Sequence, residues 1–175
     1  MKDYYDSKFA KILFSPLVIK TLDSFLKCGN LKIQIAVCKI LTNSLYYIDP
    51  LDLDVMQSVE EHEILQSVLE QLEMKSDPTE NSIELWTNAI ICLTNLGYNQ
   101  QKFFTELLDN NILYILYEII EFDPKNDKLG NALMNLLYFI ISSNDNEELN
   151  SESKVYDNSR LNGIENFVPF VQSKF

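Results

Sequence analysis

Glycine and proline are scarce in this chain, 4 and 5 of its 175 residues. An all-β fold of many short strands turns on such residues. Their scarcity argues against that class and leaves the Leu/Ile-rich segments to run as helices. Basic residues are also few, 14 Lys and Arg against 26 Asp and Glu, for a net charge of −12. Neutralising phosphates takes clustered Lys and Arg, so nucleic acid is not expected as a direct partner. An anionic membrane surface is disfavoured for the same reason, whereas a basic peptide or protein is compatible. The three cysteines, Cys28, Cys38 and Cys92, lie in apolar helical contexts with no metal-ligand spacing. Such a sparse, odd count fits reduced thiols used for packing in a reducing compartment.

Further absences bear on chemistry. His62 is the only histidine; with no second His or Cys at ligand spacing, it reads as a surface residue and no metal is expected. There is no Gly-rich phosphate loop, no nucleophile elbow and no Ser/His/Asp set, so no cofactor and no enzymatic activity are expected. The pairs Glu60/Glu61 and Glu147/Glu148 sit in polar stretches that imply no apolar pocket to raise a carboxyl pKa. Apolar runs are short. The longest, around Ala132 to Ile141, is interrupted by Asn135 and falls well below the roughly 20 residues that cross a bilayer. Met1 to Asp6 carries no apolar run suited to a signal peptide. These features lead us to expect a cytoplasmic or nuclear protein, or both.

Apolar residues make up 46% of the chain, enough for one core of ordinary size, and their spacing is helical. Ser15-Pro16 suits a helix start, after which Leu17, Val18, Leu22, Phe25 and Leu26 recur until Cys28-Gly29-Asn30. A second helix is expected from Leu31 to Tyr47, with Ile33, Ala36, Val37, Ile40 and Leu41 inward, and a short one from Leu53 to Val59. The order then repeats. Glu63 to Met74 is amphipathic. Ser82 is expected to cap a long helix through Leu85, Ala89, Cys92, Leu93 and Leu96 that Gly97 ends, and Gln100 to Leu108 is a short helix. A third round runs through Ile112, Ile115, Leu116, Ile119 and Ile120, then Leu129 to Ser142. Residues 143–162 are polar and are expected to form a flexible insertion. Apolar character returns from Gly163 to Val171, where Ile164 aligns with Val18, Ile64 and Ile112 as the start of a fourth unit.

One hexapeptide frame occurs three times in this pattern. Leu41-Thr42-Asn43-Ser44-Leu45-Tyr46 returns as Leu93-Thr94-Asn95-Leu96-Gly97-Tyr98 and as Leu133-Met134-Asn135-Leu136-Leu137-Tyr138. The frame is Leu-x-Asn-x-x-Tyr, with Asn-to-Asn spacings of 52 and 40 residues. Repetition at that period marks a helical solenoid, whose units bury their apolar faces by stacking on neighbours. The repeated Asn either ties one repeat's backbone to the next or forms a ladder for an extended peptide backbone. The repeated Tyr is expected to pack, with only its hydroxyl wet. The carboxylates of Asp49, Asp52, Asp54, Glu60, Glu61 and Glu63 form either a solvated face or a dock for a basic partner.

A short helix, a polar turn and a longer helix with Leu-x-Asn near its end resemble the armadillo repeat. Ala89-Ile90-Ile91-Cys92-Leu93-Thr94-Asn95-Leu96 is similar to the third-helix pattern Ala-Ala-Trp-Ala-Leu-Thr-Asn-Ile of importin-α-type repeats. Asn110-Asn111-Ile112-Leu113-Tyr114-Ile115-Leu116 sits where that family has a Gly-Ala-Ile-Pro-x-Leu-like start to its next second helix. The resemblance spans residues 15–142. It implies an all-α armadillo/HEAT-like superhelix of about three repeats plus a partial fourth, as one domain over 1–175, either complete or part of a longer solenoid. It also implies a groove in which Asn43, Asn95 and Asn135 bond the backbone of a peptide, as in a cargo adaptor. Where the family sets Trp slots, four residues before each Asn, this chain has Lys39, Ile91 and Asn131. The expected function is a non-catalytic interaction module for a peptide or protein partner. The alternative is a scaffold that docks folded partners through its repeat ends and convex face.

Overall fold

The computed structural model describes residues 11–46, 53–73, 79–99, 102–122 and 126–148, with backbone alone for residues 53, 54, 99, 102, 104 and 143–148. Asp49, Asp52, the Asp54 side chain, residues 149–162 of the expected insertion and the expected fourth unit with Ile164 lie outside the described residues. Every regular element among the described residues is helical. In chain order they are α1 (Pro16–Leu26), α2 (Leu31–Tyr46), α3 (Leu53–Glu61), α4 (Ile64–Leu69), a 3₁₀ turn (Glu70–Leu72), α5 (Glu80–Asn99), α6 (Lys102–Asp109), α7 (Ile112–Phe122) and α8 (Asp127–Glu148).

Local chemistry accounts for most boundaries. Pro16 opens α1 at its first position, but Ser15 does not cap it: its hydroxyl donates back to the Ile12 carbonyl at 2.7 Å. Gly29, at φ +73°, takes the left-handed conformation that lets the chain leave α1. Asn30 then caps α2, its Oδ1 accepting from the Lys32 and Ile33 amides at 3.1 and 3.4 Å. The α5 start differs from expectation. Thr79, not Ser82, is the cap, and Ser82 answers it from three residues on. The Thr79 amide donates to Ser82 Oγ at 3.1 Å, and the Ser82 amide donates to Thr79 Oγ1 at 3.4 Å. This is a capping box with Ser in the usual Glu position, and it starts the helix three residues earlier than a Ser82 cap would. Asn126 caps α8 through the Leu129 amide at 3.0 Å. That helix continues past the expected Ser142 to Glu148, so the first part of the polar stretch is helical.

The three longest helices form the centre of the molecule, with α5 packed against both α2 and α8. Leu41, Leu93 and Leu133, the first residues of the repeated frame, are all buried. Against this layer α1 packs on α2 and α4, α4 and the 3₁₀ turn pack on α5, and α6 joins α5 to α7. Trp86 meets Phe122 of α7 edge to face, with centroids 5.7 Å apart.

Two expectations fail on close inspection. Ile33, Ala36 and Ile40 of α2 are exposed rather than inward, the two isoleucines to 39% and 40%; α2 instead buries Gln34, Ile35, Val37, Cys38, Leu41 and Leu45. In the repeated frame Ile33 and Ile40 correspond to Leu85 and Cys92 of α5, which are buried. The α2 side is therefore patterned like a packed one, yet it lies open to solvent. Leu17 and Phe25 of α1 are also exposed, while Ile19, Leu22 and Leu26 form its inner face.

Gly97 does not end α5, which runs two residues further to Asn99. It serves close packing instead. A Cβ at Gly97 would overlap the ring edge of the buried Phe139 of α8. Gly97→Ala, which would add about 1 kcal/mol in an unobstructed helix interior, is accordingly expected to destabilise the fold by about 1–2 kcal/mol. Urea denaturation measures the sign directly, and a gain in stability would show that the ring yields.

Candidate functional site

The repeated frame places its Asn and Tyr three residues apart, and on a helix such residues share a face. In α2, α5 and α8 that shared face opens onto a cleft of about 330 Å³. Asn43, Asn95 and Asn135 all line it, with Thr42, Ile91 and Thr94 between them and Tyr46 and Tyr98 beside them. Of the other residues singled out from the sequence, Ile91 is in the cleft lining. Lys39 and Asn131 are exposed and stand apart from that lining. Lys39 is held by Glu84 of α5 at 2.5 Å, a surface pair of small energetic value.

The three Asn side chains are not equivalent. Asn95 is half-buried and its Nδ2 donates to the Thr42 carbonyl of α2 at 3.0 Å, so it ties neighbouring helices. Asn43 and Asn135 are exposed. Thr42 is engaged a second time, its hydroxyl donating to the Asn88 carbonyl at 3.2 Å.

The tyrosines contradict the expectation of packing. Tyr46, Tyr98 and Tyr138 are 70%, 58% and 68% exposed. Tyr98 meets Phe139 at a tilt of 54°, with centroids 5.0 Å apart. The signal was present in the spacing, because a residue three positions after an exposed Asn shares its outward face. Thr42 and Thr94, adjacent to the Asn positions, were likewise not singled out.

The eight described lining residues are uncharged, in a chain of net charge −12. The nearby thiols are inert. Burial pushes the Cys38 thiol up to about 12. Burial, reinforced by the neighbouring Cys38, pushes Cys92 well above the usual thiol range against a smaller opposing contact from Thr42. A native protein at pH 8 is therefore expected to give one fast equivalent with a thiol reagent, from exposed Cys28, and the other two only on unfolding. Three fast equivalents would contradict the packing. Both buried thiols stay protonated in the fold but ionise in the unfolded chain above about pH 8.5. Their contribution is thus intact below that pH and fades as pH rises toward about 12 for Cys38.

His62 is half-buried rather than on the open surface, its Nδ1 lying 2.9 Å from the Ser58 carbonyl near the end of α3. Among the described residues no group of three or more His, Cys, Asp or Glu is placed to hold a metal ion, and no helix is long and apolar enough to cross a membrane. Comparison with protein-family models, with curated proteins and with solved structures finds no match to this chain.

Proposed function

We propose that the protein is a non-catalytic interaction module, an armadillo-like superhelix of about three repeats that binds an extended peptide of a partner protein in the cleft between α2, α5 and α8. One observation carries this reading. The same position of three repeated motifs supplies an Asn to a single uncharged cleft, and two of the three amides, Asn43 and Asn135, are exposed. Amides in a row can pair with a backbone whatever its side chains, as the resemblance to importin-α-type cargo adaptors implies. Because the Trp slots are replaced by Lys39, Ile91 and Asn131, a simple basic signal should bind weakly and in a salt-sensitive way.

The test is selection from a displayed random-peptide library, followed by titration of the selected peptides on the wild type and on Asn43→Ala/Asn135→Ala. Each lost bond should remove about 0.5–1.5 kcal/mol, so the double variant should bind roughly 5- to 150-fold more weakly with its stability unchanged. Peptides that bind both proteins equally, or no selectable peptide at all, would overturn the groove reading. A second reading has its own support: the open Ile33, Ala36 and Ile40 stripe on α2 suits a scaffold that docks a folded partner against its end.

A further inference from the structure

The cleft carries more information than a row of amides, because the exposed tyrosines follow the same row. Tyr46, Tyr98 and Tyr138 stand at equivalent places on three helices packed side by side, and the first two line the cleft itself. Packed helices lie about 8–10 Å apart, so the helix positions that carry these rings recur at roughly that interval across α2, α5 and α8. A ligand fits this row when residues facing the same way recur at the same interval.

Polyproline II meets that condition. It has three residues per turn at about 3.1 Å each, so every third residue faces one side at intervals of about 9.3 Å. An extended β-strand presents same-side residues about 6.6–6.8 Å apart and drifts out of step with the rings. Polyproline II also has no internal hydrogen bonds, and its carbonyls need external donors. The cleft supplies exposed side-chain amides in Asn43 and Asn135. Proline has no amide hydrogen and needs no acceptor in return.

Charge narrows the partner further. Among the described residues no carboxylate lines the cleft to receive a Lys or Arg, and the net charge of −12 disfavours an acidic segment. The matching ligand is uncharged.

Resting on the peptide-groove reading above, we infer that the occupant is a neutral, proline-rich segment of another protein in the polyproline II conformation. Prolines at every third position stack along the row of Tyr46, Tyr98 and Tyr138 while their carbonyls accept from the adjacent exposed amides of Asn43 and Asn135.

Three fluorescent peptides of equal length test this by anisotropy at physiological salt. They are an all-proline nonapeptide, a neutral Ser/Gln/Val nonapeptide and a Lys/Arg-rich nonapeptide. The all-proline peptide should bind at least tenfold more tightly than either of the others. Tyr46→Ala and Tyr98→Ala should each weaken it at least fivefold, whereas Tyr46→Phe should stay within about threefold because the ring remains. Circular dichroism of each variant shows whether the fold is intact, and the Phe variant keeps the result readable if Tyr98→Ala disturbs Phe139. Equal or tighter binding of the neutral non-proline peptide, or of the basic one, overturns the polyproline assignment and leaves the groove reading standing. Failure of all three peptides to bind overturns the assignment, and library selection then decides the groove reading separately.

Discussion

Trp86→Ala should lower the stability of the fold by about 3–5 kcal/mol, the range for deleting a buried indole. Trp86 is buried on α5 and meets Phe122 of α7 edge to face, so the loss removes apolar contact area and an aromatic pair together. Little can refill the space, because the neighbouring Leu85, Ala89 and Ile90 are already buried and packed. Trp86 is not among the residues that line the cleft. Its burial makes it a core residue, and its removal should act on unfolding. Urea denaturation followed by circular dichroism measures the effect, since this is the only tryptophan and its fluorescence is lost with it. A loss below about 1 kcal/mol would place the indole outside the core.

Leu93→Ala is expected to cost about 2–5 kcal/mol. Leu93 is fully buried on the central helix of the layer, and the matching Leu41 and Leu133 are buried on the helices that pack against it. Deleting three carbons there leaves a void between elements held from several directions, so little relaxation can close it. Tyr138→Ala, on the same set of helices but 68% exposed, should change stability by no more than about 0.5 kcal/mol. Together the two variants separate the inner and outer positions of the repeated frame. A Leu93 loss under about 0.5 kcal/mol would mean that the frame has been aligned to the wrong helix face.

How legible was this arrangement in the sequence? Helix order and most helix limits followed from apolar spacing and from a few special residues: Pro16, Gly29 and Asn30 act where their chemistry places them. The errors are local and have distinct causes. Ile33, Ala36 and Ile40 recur at helical spacing as well as Val37 and Leu41 do, and spacing alone does not say which of two apolar sides of α2 has a neighbour. Gly97 read as a stop because Gly commonly follows a helix; its actual cause, Phe139, lies 42 residues on and enters only with tertiary packing. Ser82 and Thr79 are both good caps by residue type, and only the backbone geometry of their reciprocal bonds selects Thr79. For the site, the three Asn positions could be found from repetition. The tyrosines were assigned to the core on residue type, although their i, i+3 relation to Asn already set them on the outer face.

Thr42 sits in a two-point clasp. Its hydroxyl reaches the Asn88 carbonyl, and its own carbonyl receives Asn95, two helical turns further along α5. Sliding α2 along α5, or rolling it, would break both bonds at once, so these two helices behave as one stiff plank. At the seam between α5 and α8 the Phe139 ring is set into the notch at Gly97 and against Tyr98. Apolar surfaces can tilt by small steps without leaving a polar atom stranded. The Thr42 clasp thus holds the separation of Asn43 and Asn95, and the angle between α5 and α8 sets where Asn135 stands relative to them.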